Sequence, residues 1–512
     1  MKPPTAISQL ALPILTVAKG ENYPIPPPTA ALDSGPIVGV SVELLDSISP
    51  VNKYLGIPYA SPPERFSRAK KPQPWTKPLP ATKFGPACTQ LFVNNELGPG
   101  VDILKDFFDN NPPESEDCLY MNAFAPTSPQ PPEGRPVVLF IHGGGWQQGH
   151  GRIDMSGFAA QLTDAVFGFA NSPNIPVDET NLGLYDQQLA IEWVQANARA
   201  FGGDPSKVTI WGESAGSMSV DIQVNAYGDA HPPPFRGAIM FSGQMSVGLL
   251  GSTSNPRDRR NWEAVARAVG CNGTDNQLSC LRAVSADDLI DAMSATQVTF
   301  MPVTDNVTVP SGRAERWRSG ENAKVPVLMG TIAQEGRALV NRHINMSLFL
   351  DSYLMEPLVT REQREVILDV YRADPELETD FDVAAAIYTD YFFRCVSEGD
   401  PYLGPRDLNW CVASRNTSQH LGFHRQPHLA VLLQRLPHQH VPEEPRLAGE
   451  VPRVRRGAAL QLAHIRGRRG GVAVDAATVY AWQLPARRRG EVRQEPAGRA
   501  RVAGGGLAVC AV

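Results

Sequence analysis

Short apolar runs recur along this chain, and most of them end in glycine or small polar residues. Val38–Val42, Asn52–Ala60, Pro136–Ile141, Val208–Trp211, Gly237–Phe241 and Val325–Met329 read as strands. Pro136–Ile141 is apolar at nearly every position, as a strand covered on both faces is. Between these runs, Asn181–Ala198 keeps a helical, amphipathic period through Trp193. A further helical run precedes Cys271. Strands alternating with helices point to an α/β architecture. A length of 512 residues with 42% hydrophobic content accommodates one large α/β domain or two ordinary ones.

The ends of three of these strands carry candidate chemistry. Pro136–Ile141 runs into His142-Gly143-Gly144-Gly145-Trp146. Glycines after a strand let backbone N–H groups turn inward unobstructed, which is how an oxyanion hole is made. Val208–Trp211 runs into Gly212-Glu213-Ser214-Ala215-Gly216, then into residues able to start a helix. A G-x-S-x-G pentad between strand and helix is the setting of a nucleophile elbow, with the glycines giving room for a tight turn. The pentad alone is a weak signal; its pairing with the Gly-rich loop, each after a strand, is stronger. Glu335 stands just beyond the strand at Val325–Gly330, where an α/β sheet places a catalytic acid. Glu213, beside the serine, either tunes the charge of the site or solvates the turn.

Charge and cysteine usage add a compartment. The net charge is −6, and no nucleic-acid partner is expected. Residues 419–512 hold 15 Arg, no Lys and six acidic residues, a local +9 against −15 for the remainder. Met1-Lys2 followed by Ala6–Leu15 and Thr16-Val17-Ala18 reads as a signal peptide over residues 1–18. Sequons at Asn272, Asn306, Asn345 and Asn416 and cysteines spaced for bridges support a secreted protein. No run reaches the ~18 apolar residues of a membrane span, so stable membrane insertion is not expected.

These motifs resemble those of the type-B carboxylesterase family, which includes cholinesterases and fungal lipases. The resemblance runs from about Gly39 to Cys395 and is carried by Leu55–Ala60, Ser115–Tyr120, His142–Gly145, Phe201–Pro205 with Gly212–Ser217, and Pro233–Gly243. The last stretch is most similar to secreted fungal esterases. The resemblance implies an α/β-hydrolase fold: a central, mostly parallel β-sheet flanked by helices, here over residues 30–418. It implies Ser214 as nucleophile, Gly144, Gly145 and Ala215 as oxyanion-hole donors, and Glu335 as the acid of the triad. Disulfides Cys88–Cys118 and Cys271–Cys280 follow from it, while no metal or cofactor does. The implied substrate is a small-molecule or lipid ester. Cholinesterases carry a tryptophan in the first disulfide loop; Thr89–Asp117 has none, so choline specificity is not expected.

Two departures stand out. Family members have a strand between the Gly-rich loop and a Phe-Gly-Phe, whereas here Ala159–Phe169 passes directly between them. Omitting a central strand would leave the ladder groups of its neighbours unpaired in a buried sheet. The second departure is the triad histidine, which has no family-like context. His438, His440 and His464 fall at a suitable distance, and His440 is the candidate. They lie in the Arg/Ala/Gly-rich region 419–512, which contains no Ser, Lys, Asn or Met. That composition fits a frame-shifted or a disordered tail. Reading Glu443–Leu460 one base forward permits a family-like histidine motif. The reading is a carboxylic ester hydrolase acting through Ser214; the alternative is a catalytically impaired or non-catalytic esterase-like binding protein.

Overall fold

The computed structural model describes residues 26–43, 50–93, 96–108, 112–156, 166–169, 175–176, 180–228, 231–244, 256–273, 276–354, 359–394, 478–482 and 508–511. The strands are β1 (Thr29–Ala31), β2 (Pro36–Val38), β3 (Val40–Val42), β4 (Val51–Pro58), β5 (Leu79–Pro80), β6 (Tyr120–Pro126), β7 (Arg135–Ile141), β8 (Gly203–Glu213), β9 (Gly237–Phe241), β10 (Val327–Thr331), β11 (Thr478–Trp482) and β12 (Ala508–Ala511). The helices are α1 (Val101–Phe107), α2 (Leu182–Asn197), α3 (Ala215–Ala226), α4 (Pro256–Ala268), α5 (Gln277–Ala283), α6 (Ala286–Thr296), α7 (Arg313–Ser319), α8 (Glu335–Leu339), α9 (Met346–Tyr353), α10 (Arg361–Arg372) and α11 (Asp380–Thr389). The main sheet has nine strands in the order β11-β10-β9-β8-β7-β12-β6-β4-β3, and a small sheet has the order β1-β2-β5. From β10 to β12 the pairings are parallel.

Parallel strands need both faces covered, and the sequence supplies this at β7 and β8. Val137, Leu139, Ile141, Val208 and Ile210 have no solvent exposure, and they join a core with Ala190, Ile191 and Val194 of α2 and Val220 and Val224 of α3. On the same strands Phe140 and Trp211 stack edge-on, ring centroids 4.6 Å apart. A second core lies beneath the Gly-rich loop, where Trp146, Leu182 and Ala215 meet Trp262 of α4, Leu281 of α5 and Met293 of α6. Helices α9 to α11 close a third around Phe349, Tyr371 and Ile387. Capping boxes at Thr360/Gln363 and Thr379/Asp382 start α10 and α11.

The run read from sequence as one strand over Val38–Val42 divides at Gly39, with β2 going to the small sheet and β3 to the large one. A Cβ at Gly39 would lie 2.3 Å from the Lys53 carbonyl, so only glycine fits where the chain changes sheets. Both disulfides are formed, Cys88–Cys118 and Cys271–Cys280. Among the described residues, no helix is long and apolar enough to cross a membrane.

Strand β12 lies between β6 and β7, antiparallel to the first and parallel to the second. Cys510 pairs with Ala123 on one side and Leu139 on the other. Strand β11 extends the opposite edge, antiparallel to β10. The region 419–512 thus contributes five residues and four residues to the sheet. Its remainder, the segment 1–18 and most of Ala159–Phe169 lie outside the described residues.

Candidate active site

Ser214 follows β8 directly and begins α3 with φ 53° and ψ −125°. A positive φ on a non-glycine residue costs on the order of 1–3 kcal/mol and persists only where its surroundings enforce it. Here the surroundings are backbone. The Ser214 N–H donates to the Phe241 carbonyl of β9 at 2.9 Å. A Cβ on Gly212 would come within 2.2 Å of the Gly216 carbonyl, and one on Gly216 within 2.1 Å of the Ile141 carbonyl. The pentad glycines let α3 start against the ends of β7 and β8, which holds the serine in its turn.

The Gly-rich loop abuts this turn. A Cβ on Gly143 would sit 2.8 Å from Ser214 Cβ and 2.6 Å from Glu213 Oε2. Gly144 (φ +113°) is closed in, its Cβ position 2.2 Å from the Gln148 carbonyl, while Gly145 (φ +62°) faces open space. The carbonyl of Gly144 accepts from the N–H groups of Gln147 and Gln148 at 3.0 and 2.9 Å, which fixes the loop as a turn. Trp146 anchors it from below, its indole N–H donating to Ser219 Oγ at 3.0 Å.

His142 opens this loop, and its placement is that of a clamp. It is buried, and Nδ1 lies 2.6 Å from the Gly143 carbonyl, which makes Nδ1 the protonated nitrogen. Burial lowers its pKa to about 4, so the ring is neutral near pH 7. His150 is also buried, with Nε2 3.0 Å from the Phe108 carbonyl, while His231 and His343 are exposed. The remaining six histidines, His440 among them, lie outside the described residues.

Glu335 starts α8 at the end of β10 and is buried, with Oε1 accepting from the Ile332 N–H at 2.9 Å. Burial raises its pKa, opposed by hydrogen bonds from the Ser242 side chain and the Ile332 N–H. Gly336 lets this turn press on α11, since a Cβ there would be 2.1 Å from the Ala385 carbonyl. Glu213 is pushed up to about 7, first by burial and then by the charge of Glu335. Two carboxyl groups therefore share one poorly solvated site, and the one beside the serine is the harder to ionise.

The structure thus brings Ser214, Gly144, Gly145, Ala215 and Glu335 to the same end of β7, β8 and β10. Sequence reasoning passed over Ser242, which sits at φ 56° after β9, with its N–H bonded to the Gly330 carbonyl at 2.8 Å. Its signal was a Ser-Gly ending the strand next to the elbow. Of the sequons, Asn272, Asn306 and Asn345 are exposed, and Asn416 lies outside the described residues.

The profile of the Carboxylesterase family matches residues 26–398. Lipase 4 of Diutina rugosa is 31% identical over 69% of this chain and 71% of its own. Secreted lipase 1 of Botryotinia fuckeliana (strain B05.10) is 31% identical over 69% of this chain and 66% of its own. The acetylcholinesterase of Bungarus fasciatus is 33% identical over 59% of this chain and 52% of its own. Among solved structures, a thermophilic pNB esterase superposes with a TM-score of 0.57 at 30% identity, covering 72% of this chain and 75% of that one. Fold, motifs and matches agree: the chain belongs to the carboxylesterase family of α/β hydrolases and is an ester hydrolase of the serine carboxylesterase and lipase type.

Proposed function

We propose that this protein hydrolyses carboxylic esters, small-molecule or lipid, through a covalent acyl-enzyme on Ser214. Ser214 Oγ attacks the ester carbonyl carbon and passes its proton to a histidine. The carbonyl oxygen becomes an oxyanion held by the N–H groups of Gly144, Gly145 and Ala215. The tetrahedral intermediate collapses by breaking the C–O bond to the alcohol, which leaves with the proton from the histidine. Water then attacks the acyl-serine, the histidine again relaying the proton, and the carboxylic acid departs. Glu335 orients the histidine and stabilises its charged form. His440 is the candidate for that role, and no metal or cofactor enters the scheme.

The observation that carries this reading is the positive φ of Ser214, an arrangement that costs stability, at a turn whose Cβ abuts Gly143 of the Gly-rich loop. The secreted lipase among the relatives and the exposed sequons support an extracellular, glycosylated protein. The test is hydrolysis of short p-nitrophenyl esters by the full chain, Ser214→Ala and His440→Ala. Activity lost in both variants supports the scheme. Activity retained in Ser214→Ala rejects it, and activity retained in His440→Ala alone removes His440 as the base.

A further inference from the structure

Strands β6 and β7 are consecutive in sequence and run antiparallel, yet they are not paired with each other. Two such strands ordinarily close as a hairpin. Their connection, residues 127–134, is instead tied down by bonds of its own. The Thr127 N–H and hydroxyl both donate to the Pro50 carbonyl, at 3.2 and 2.9 Å. The buried Arg135 guanidinium donates to the carbonyls of Ser128 and Pro129, the latter at 2.8 Å. Pro129, Pro131 and Pro132 stiffen the rest. These anchors involve no residue of β12, so the connection is fixed without it.

An empty gap of this kind leaves two facing rows of N–H and C=O groups without partners in a covered sheet. Its occupant must be extended and uncharged, because a charge there would be buried without a counter-ion. Ala508-Val509-Cys510-Ala511 fits: it carries no charge within an arginine-rich region, and three glycines stand shortly before it in the sequence. In the register observed, Ala511 pairs with Phe140, two residues before His142 and the Gly-rich loop.

We propose that the gap between β6 and β7 is a strand-acceptor groove for a short, extended, uncharged peptide, occupied in cis by residues 508–511. Seating of that segment orders the end of β7 and thereby the Gly-rich loop. The proposal does not rest on the proposed function, since the pairing and the ordering of the loop are both tested without activity.

Antiparallel partners have Cα atoms roughly 4.5–5.5 Å apart, within disulfide range. Ala123→Cys in the full chain therefore sets a thiol opposite the native Cys510. Mild oxidation and peptide mapping are expected to give a disulfide between the introduced thiol and Cys510 in a monomer-sized band. Absence of that bridge, or its presence only in a dimer-sized band, overturns the proposal. In a second arm, a variant lacking residues 507–512 is expected to exchange amide protons of β7 and the 142–145 loop about tenfold faster or more. A synthetic peptide of residues 505–512 is expected to restore protection. Exchange equal to that of the full chain, or no restoration by the peptide, also overturns it. If the shortened variant does not fold, the cross-link in the full chain still decides.

Discussion

Strand β7 has two neighbours of opposite origin. On one side, β8, the Ser214 turn and α3 follow one another in the chain, and each strand-end glycine fits against backbone already placed beside it. On the other side, the partner is a four-residue strand drawn from far along the sequence. Val137 pairs with Val208, 71 residues on, and with Ala508, 371 residues on, so the second pairing carries the larger loop-closure cost. Chemistry and stability should therefore separate at the elbow and be coupled across the β6–β12–β7 gap, although both meet at the Gly-rich loop.

The largest effect expected tests that separation. Ser214→Ala should lower ester hydrolysis by about 10⁵–10⁶-fold, with the urea unfolding midpoint unchanged. Ser214→Gly should abolish turnover while raising stability by roughly 1 kcal/mol or more, because glycine adopts the positive φ without strain. Stability falling together with rate in both variants would contradict a locally enforced turn. Next comes the contact that joins the two sides. Gly216→Ala would drive a methyl to 2.1 Å from the Ile141 carbonyl and 2.5 Å from that of His142. Overpacking against backbone should cost about 3 kcal/mol or more. Equilibrium denaturation checks this, and a neutral result would show that β7 can shift relative to α3.

The same contrast explains what was legible in the chain. Ser214, the Gly-rich loop and Glu335 follow apolar runs directly, so local spacing carried them to one end of a sheet. The long α2 was visible from periodicity, and the two disulfides came with the family resemblance. Strand β12 was not visible, because four small apolar residues in an arginine-rich region carry no local signal of their partner. The sequence pointed to a departure after the Gly-rich loop, but nothing in it placed a strand from 419–512 between β6 and β7. The role of Ser242 and the burial of Glu213 were hidden for a related reason: both depend on which strands adjoin β8. His142 shows the limit of motif reading from another side, since a histidine beside a nucleophile is here fixed to the loop's own carbonyl.

His142 also gives the third prediction, with an acid sign. Its folded pKa of about 4 lies below the ordinary 6.5, so the folded state resists the proton. The stability this contributes is complete above pH 6.5 and is lost as pH falls towards 4, a few kcal/mol in all. Chemical denaturation between pH 7.5 and 4 should show this slope, and His142→Gln should flatten it while lowering stability at pH 7. An unchanged slope in the variant would move the acid lability to another group.

The smallest effect concerns the two carboxyl groups on the elbow side. Glu213 is raised from 4.5 to about 7, so its contribution to stability is complete below pH 4.5 and is lost as pH rises through 7. Burial is the larger cause and the charge of Glu335 the smaller one. Glu335→Gln removes only the second, so the alkaline limb of the stability–pH curve should move down yet remain above the ordinary carboxylate range. Glu213→Gln should remove that limb altogether. A full return to 4.5 in Glu335→Gln would mean that charge, not burial, sets the acidity beside Ser214. The elbow would then answer to the end of β10 two strands away, and its geometry would be less local than its glycines imply.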